Sequence, residues 1–258
     1  MENNKENNFT KKIIYCKNKK NKKIYGEAYI PNSNPPFPLI IYSHGYGYNS
    51  SLINIEKLSS NNISIYKFDF CGGSLNSKSE GKSIEMSIMT EVEDLESVIN
   101  EMEKQSFVNK NEIYLCGASQ GSIISIIVGE KKQKELKGLI LYCPSLFIFD
   151  LEKIVLGDKK VNQNVKFSNM MVSKKFFDDI RDYNIYETIK KIDIPFLYYQ
   201  GDKDDVVNID YAYNAEKYFG KNGKLIILKN TGHLLNIGNE ERLFIDIINF
   251  IFENKNFI

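Results

Sequence analysis

The sequence predicts an α/β fold: an eight-stranded, mostly parallel sheet with helices on both faces and a small inserted cap. Three observations carry this expectation. Short runs of apolar, β-branched and aromatic residues recur along the chain, and from residue 39 onward they are nearly continuously apolar, as strands buried on both faces are. Segments with helical spacing of apolar residues alternate with them. One stretch, residues 145–193, breaks the alternation and is long for a plain crossover.

Taken in order, runs 12–16 and 23–30 flank the polar stretch 17–22 and read as an antiparallel hairpin whose lysines lie in a solvated turn. Buried strands follow at 39–43, 63–70, 112–116, 137–143, 195–199 and 224–228. Helical patterns are clearest at 84–104, 120–132, 209–219 and 240–252. Residues 145–193 combine mixed charges with Met170, Met171, Phe176 and Phe177 and show no convincing buried strand. The expected organisation is a core of residues 1–144 and 194–258 and an inserted cap, 145–193, over the carboxyl ends of the strands. An ordinary helical excursion with a Met/Phe core face is the plainer alternative.

Composition narrows the function classes. With 258 residues, 42% of them hydrophobic and 26% charged, the chain has the make-up of an ordinary globular domain. Lys plus Arg (34) nearly cancels Asp plus Glu (33), and a formal charge of +1 recommends neither nucleic acid nor an anionic membrane. The expected partners are a small neutral molecule and, in a homodimer, a second copy of the chain. Cys16, Cys71, Cys116 and Cys143 stand in apolar strand contexts without a C-x-x-C pair or a close His, and read as reduced core residues. Residues 1–12 lack the apolar stretch of a signal peptide, and no run reaches the roughly 18 apolar residues of a membrane span, so a cytoplasmic location is expected.

The sharpest chemical signal is Gly117-Ala118-Ser119-Gln120-Gly121, which follows one buried strand and opens a helix. Small flanking residues allow the strained strand-to-helix turn that lifts a serine Oγ into a cleft, and the helix N-terminus favours a developing oxyanion. A serine hydroxyl needs a general base, and the chain has only two histidines, His44 and His233. His233 lies just past the last strand, where a loop can carry its imidazole over the carboxyl edge of the sheet. The acid that orients such a base belongs between serine and histidine in this chain order, and Gly201-Asp202-Lys203-Asp204-Asp205-Val206-Val207 supplies three candidates that spacing does not separate. A calcium loop of EF-hand type is excluded there, because the glycine at its sixth position and the glutamate at its twelfth are missing. Backbone N–H groups for an oxyanion are expected from Gln120 and from Tyr46, the latter in the glycine-rich Ser43-His44-Gly45-Tyr46-Gly47-Tyr48. His44 reads as a structural residue of that loop.

These residues resemble the α/β-hydrolase family, and within it the bacterial cinnamoyl (feruloyl) esterases and related carboxylesterases with a short inserted lid. The likeness runs from about Lys23 to the end and rests on His44-Gly45-Tyr46, Phe68-Asp69-Phe70 with Ser79-Glu80-Gly81, Gly117–Gly121, residues 195–207 and Gly232-His233. The resemblance implies that the acid is Asp204, the aspartate of a G-x-x-D-x-x-V pattern, and that the insert shapes the acyl pocket. It also implies hydrolysis of a small-molecule ester through an acyl-enzyme on Ser119, with no cofactor and no metal. Two departures stand out: Cys71-Gly72-Gly73-Ser74-Leu75 lacks the histidine of the family's G-H-G-x-S, and Ser122 replaces a common glycine after the elbow.

Other readings are weaker. A dinucleotide fingerprint at Gly45-Tyr46-Gly47 fails because Ser50 replaces its third glycine and the motif does not open the sheet. A non-catalytic ligand-binding module of the same fold would not need serine, acid and base together. An acyl-peptidase, a thioesterase and a monoacylglycerol-type lipase share the same chemistry and remain alternatives to a carboxylesterase.

Overall fold

The computed structural model describes residues 8–51, 54–156, 161–233 and 237–253. Its strands are β1 (Phe9–Lys17), β2 (Lys23–Pro31), β3 (Phe37–Ser43), β4 (Ser64–Phe68), β5 (Val108–Ala118), β6 (Gly138–Tyr142), β7 (Val165–Phe167), β8 (Met170–Val172), β9 (Phe196–Gly201) and β10 (Gly223–Leu228). Eight of them form one sheet in the order β1-β2-β4-β3-β5-β6-β9-β10, and β7 pairs only with β8. The β1–β2 and β2–β4 pairs are antiparallel, and every pair from β4 to β10 is parallel. The eight-stranded α/β fold read from the sequence is therefore the fold observed.

Alternation along the central strands explains their unbroken apolar character. On β3, Leu39 and Ile41 point to one face while Ile40 and Tyr42 point to the other; on β5, Ile113 and Leu115 oppose Tyr114 and Cys116. The first face is covered by α1 (Ile88–Met102), α2 (Gln120–Lys131) and residues of the long segment after β6. That segment holds α3 (Leu151–Leu156), the β7–β8 hairpin, α4 (Lys174–Ile180) and α5 (Ile185–Lys190). Its Met170, Phe176 and Phe177 are buried in the same core as α1, while Met171 is exposed. The helix α6 (Asp210–Glu216) adds Ala212 and Ala215 to this core. The opposite face is covered by a 3-10 helix at Ile55–Asn61 and by Leu243, Ile247 and Ile251 of α7 (Ile237–Glu253). All four cysteines are free and buried. No helix among the described residues is long and apolar enough to cross a membrane.

The structure corrects several boundaries. The helix expected from residue 84 begins at Ile88, because Ser87 accepts the Thr90 N–H while the Thr90 hydroxyl caps the Ser87 N–H; Ser83–Glu85 is a separate 3-10 turn. The helix expected over 209–219 is confined to Asp210–Glu216, and the one expected from 240 starts at Ile237. The short hairpin in 145–193 and the 3-10 helix Ile55–Asn61 carry no two-residue or helical period long enough to read from sequence.

Between β5 and α2 the chain turns with so little room that a Cβ on Gly121 would lie 2.1 Å from the Ser43 carbonyl oxygen. Ser122 supports this turn. Its hydroxyl contacts the Gly117 and Tyr142 carbonyls at 2.6 and 2.9 Å and accepts the Tyr142 N–H at 2.9 Å, tying the turn to the end of β6. Beneath it, α1 buries two acids. Asp94 accepts from Asn18 Nδ2 (2.7 Å) and the Cys71 N–H (2.8 Å), yet burial moves its pKa up to about 6. Among the described residues Glu91 accepts from Gln120 Nε2 alone (2.7 Å), and burial, relieved in part by that bond, raises it to about 8.

Two outcomes follow from these contacts. Gly121→Ala forces a methyl group onto backbone and should lose about 3 kcal/mol or more in urea unfolding, whereas Gly220→Ala, whose nearest neighbour would be the Ile192 oxygen at 3.8 Å, should stay within about 0.5 kcal/mol of the parent. Equal stabilities of the two variants would refute the packing account. Glu91 binds its proton more tightly in the fold than its ordinary value of 4.5, so the stability it contributes is complete below that value and is lost as pH rises through about 8. Between pH 6 and pH 9 the urea midpoint should fall clearly in the parent and much less in Glu91→Gln; parallel falls would assign the titration to another group.

Candidate active site

The carboxyl ends of β5, β9 and β10 bring together three of the residues singled out from the sequence. Ser119 follows β5 directly and adopts φ 55° and ψ −117°, a conformation that L-residues rarely occupy. Its N–H donates to the Tyr142 carbonyl at 2.8 Å, and its Oγ turns towards His233, whose Nε2 lies 3.0 Å away. His233 Nδ1 is 2.9 Å from Asp204 Oδ2. Asp204 sits in the turn after β9, its side chain fully buried. Its Oδ1 accepts the Val206 and Val207 N–H groups (3.0 and 2.8 Å), and its Oδ2 also accepts from Gln200 Nε2 at 2.9 Å. Burial raises the Asp204 pKa, but the His233 bond and the two N–H donors outweigh it, so the carboxyl stays below its ordinary range and ionised. Of the other two aspartates in this turn, Asp202 has a buried oxygen with no hydrogen-bond partner among the described residues and Asp205 is exposed; it is Asp204 that bonds the histidine.

The loop after β3 closes the other side. Gly45 lies against Ser119, since a Cβ there would come within 3.1 Å of the Ser119 Cβ. Among the described residues, no acceptor takes the N–H of Tyr46 or of Gln120. His44 is buried with its Nδ1 2.8 Å from the Gly45 carbonyl and its Nε2 accepting the Phe70 N–H at 3.0 Å; burial lowers its pKa and these two bonds fix one neutral tautomer. It braces the loop and, among the described residues, takes no part in the Ser119 side-chain hydrogen bonds. Asp69 does similar work, accepting the Ser50 and Lys78 N–H groups at 2.9 and 2.8 Å and so joining the loops after β3 and β4. The Gly72–Gly73 turn that lacks the family's histidine contacts the same loop through the Gly47 N–H, which donates to the Gly73 carbonyl at 3.1 Å.

Two neighbours of the triad of side chains were not anticipated. Ser145, beyond β6, places its Oγ 2.6 Å from that of Ser119. Cys143 lies beside Asp204, and its thiol is driven far up in pKa by burial. The available signal was positional: in a parallel sheet, residues just past the strand adjoining that of Ser119 face the same cleft. Cys143, Asp204 and His233 offer three donor atoms within 4.8 Å of one another. A metal does not suit them, because four N–H groups already occupy the Asp204 oxygens and the buried thiol keeps its proton.

The tip of the β7–β8 hairpin meets the same loop. Tyr46 donates its hydroxyl to the Phe167 carbonyl at 2.8 Å, and its ring stands edge-on to Phe167 and Phe176 at 4.9 and 6.2 Å between centroids.

Comparison with known proteins places this arrangement. Among solved structures, the chain is similar to Est1E from Butyrivibrio proteoclasticus with ferulic acid bound (TM-score 0.82, 20% identity, 93% of this chain and 98% of that one). It is also similar to the α/β hydrolase GrgF from Penicillium sp. sh18 (TM-score 0.75, 15% identity, 95% and 99% covered). A third likeness is to the monoacylglycerol lipase of Paleococcus ferrophilus (TM-score 0.67, 18% identity, 88% and 98% covered). At these identities the likeness is one of fold. No curated protein sequence matches the chain. Residues 34–174, more than half of the chain, match the family model described as serine aminopeptidase, S33, and the chain thus belongs to this family of α/β-hydrolases.

Proposed function

We propose that this hydrolase is a serine carboxylesterase acting on small carboxylic esters, with hydroxycinnamoyl esters as the first candidates. The observation that carries the reading is the continuous hydrogen-bonded chain Ser119–His233–Asp204 on a strained strand-to-helix turn. In this reading Ser119 Oγ attacks the ester carbonyl as its proton passes to His233 Nε2, and the anionic Asp204 holds the imidazole and supports its positive charge. The N–H groups of Tyr46 and Gln120, helped by the N-terminus of α2, receive the oxyanion. Collapse expels the alcohol, which takes the proton from His233. Water then adds to the acyl-enzyme by the same route and releases the acid and free Ser119.

Residues 145–193 serve in this reading as a cap over the acyl side of the cleft. Support comes from the contact of Phe167 and Phe176 with Tyr46, which sets aromatic rings beside the proposed oxyanion loop. Aromatic acyl groups suit such a wall. The ferulic acid held by Est1E, a structure of the same fold, favours testing a feruloyl ester first.

The test uses purified protein, p-nitrophenyl acetate, p-nitrophenyl butyrate, methyl ferulate and an aminoacyl p-nitroanilide. Hydrolysis of the esters should fall by at least about 10³-fold in folded Ser119→Ala and in His233→Ala. Tyr46→Phe keeps its backbone N–H and should hold kcat on p-nitrophenyl acetate within about threefold of the parent, with its larger effect on KM for methyl ferulate. Turnover of the anilide and not the esters would move the assignment to an aminopeptidase, and undiminished ester hydrolysis by Ser119→Ala would end the serine mechanism.

A further inference from the structure

We propose that Ser145 is a positioning residue for the nucleophile: its hydroxyl donates a hydrogen bond to Ser119 Oγ and holds that oxygen in the orientation from which His233 removes the proton. This deepens the serine-hydrolase reading and rests on it.

The direction of the 2.6 Å contact follows from counting protons. Asp204 is ionised and accepts only, so the proton shared with His233 resides on Nδ1. In the neutral imidazole Nε2 is then an acceptor, and the partner 3.0 Å away is Ser119 Oγ, which spends its single hydrogen there. The bond between the two serines therefore has Ser145 as donor and Ser119 as acceptor. The result is a one-way chain, Ser145 to Ser119 to His233 to Asp204. As the Ser119 proton moves to Nε2, negative charge grows on Oγ, and a donor already in place strengthens its bond to that oxygen without rearranging.

The backbone is built to deliver this hydroxyl. The Cys143 N–H is held by the Tyr199 carbonyl at 2.8 Å, after which Cys143 itself takes φ 39°, a left-handed conformation on a residue with a Cβ. Pro144 follows, and a tight turn closes with the Leu146 N–H on the Pro144 carbonyl (2.7 Å) and the Ile148 N–H on the Ser145 carbonyl (3.0 Å). The Ser145 N–H reaches back to the Ser119 carbonyl at 3.4 Å, so both the main chain and the side chain of Ser145 engage the nucleophile. Ser145 is buried, with 5% of its surface exposed, and no other side chain takes its Oγ among the described residues. Strain at both Cys143 and Ser119, the two residues that bracket this contact, marks it as a feature the fold maintains.

The experiment compares the full-length parent, Ser145→Ala, Ser145→Thr and Ser119→Ala. Each is checked by urea unfolding, then assayed with p-nitrophenyl acetate and with a fluorophosphonate that labels an activated serine. Ser145→Ala, which removes only the hydroxyl oxygen, should lower kcat and the labelling rate together by about 10- to 100-fold, with KM little changed. Ser145→Thr, which retains the hydroxyl, should recover most of both rates. The pH at which activity is half-maximal on the acid side should be the same in parent and Ser145→Ala, because the His233–Asp204 pair is left intact. Parent-like labelling and turnover by Ser145→Ala, or equal loss in the alanine and threonine variants when both are as stable as the parent, would overturn the positioning role. Ser119→Ala separates the two levels of the reading: if it still turns over the ester, the serine mechanism itself fails, and if it is inactive while Ser145→Ala is normal, only the role of Ser145 fails.

Discussion

The site depends on one backbone constraint, the left-handed turn at Ser119. A strand must end and a helix begin within a single residue for the hydroxyl to stand clear of both, and the φ of 55° there is sustained only because neighbouring atoms leave no other path. Gly121 lets α2 approach the main chain of β3 to a distance that any side chain would block. Ser122 fastens the turn to β6. The same closeness aims the start of α2, where no acceptor takes the Gln120 N–H among the described residues, at the space in front of Ser119. In the proposed mechanism, nucleophile placement and oxyanion binding therefore share one structural origin.

Two buried carboxyl groups, Asp204 and Glu91, flank this site, and burial alone does not decide their charge. Asp204 receives four N–H donors, and its pKa falls below the ordinary range in spite of desolvation. Glu91 receives one, and desolvation prevails. The difference suits their positions. In the proposed mechanism an anion under His233 supports the imidazolium that forms during proton transfer. An anion at Glu91, attached through the Gln120 side chain to the first residue of α2, would oppose an oxyanion at the same helix end. A protonated Glu91 leaves the helix dipole uncompensated where it acts.

How far the sequence reveals this site depends on whether each feature is local. Strands buried on both faces advertise themselves by unbroken apolar runs, and the elbow by its glycines, so β3 to β6, β9, β10 and Ser119 are legible, whereas the short β7 and β8 are not. Helix ends are set by caps, and Ser87 with Thr90 could have been read as one; the apolar residues Ile84 and Met86 extend the periodic pattern past the true start and conceal it. Among Asp202, Asp204 and Asp205, spacing made no choice, and family resemblance was needed. The physical discriminator is that only Asp204 can accept the Val206 and Val207 N–H groups while facing inward. Ser145 was hidden for a different reason. Its partner is 26 residues away, and the contact exists only after β5 and β6 pair with Ala118 opposite Tyr142.

That pairing generalises to the whole constellation. Ser119, Ser145, Asp204 and His233 follow β5, β6, β9 and β10, which are consecutive in the sheet, so chain order maps directly onto position across it. Adjacent parallel strands are about 4.8 Å apart, and the base must therefore return across roughly 14 Å from the end of β10 to reach β5. The shortest return passes over the end of β9, where the acid must also emerge. Gly201 resolves the conflict: a Cβ there would stand 2.2 Å from the Thr231 carbonyl, so the absence of a side chain lets the loop bearing His233 lie directly on the main chain of β9. The Lys203 N–H then bonds the Thr231 carbonyl at 3.0 Å and locks the crossing. Acid and base loops are fastened to each other before either side chain is considered, and the 2.9 Å contact between Asp204 and His233 is a consequence of that crossing. The glycine that precedes the aspartate is for this reason as much a part of the site's geometry as the aspartate itself.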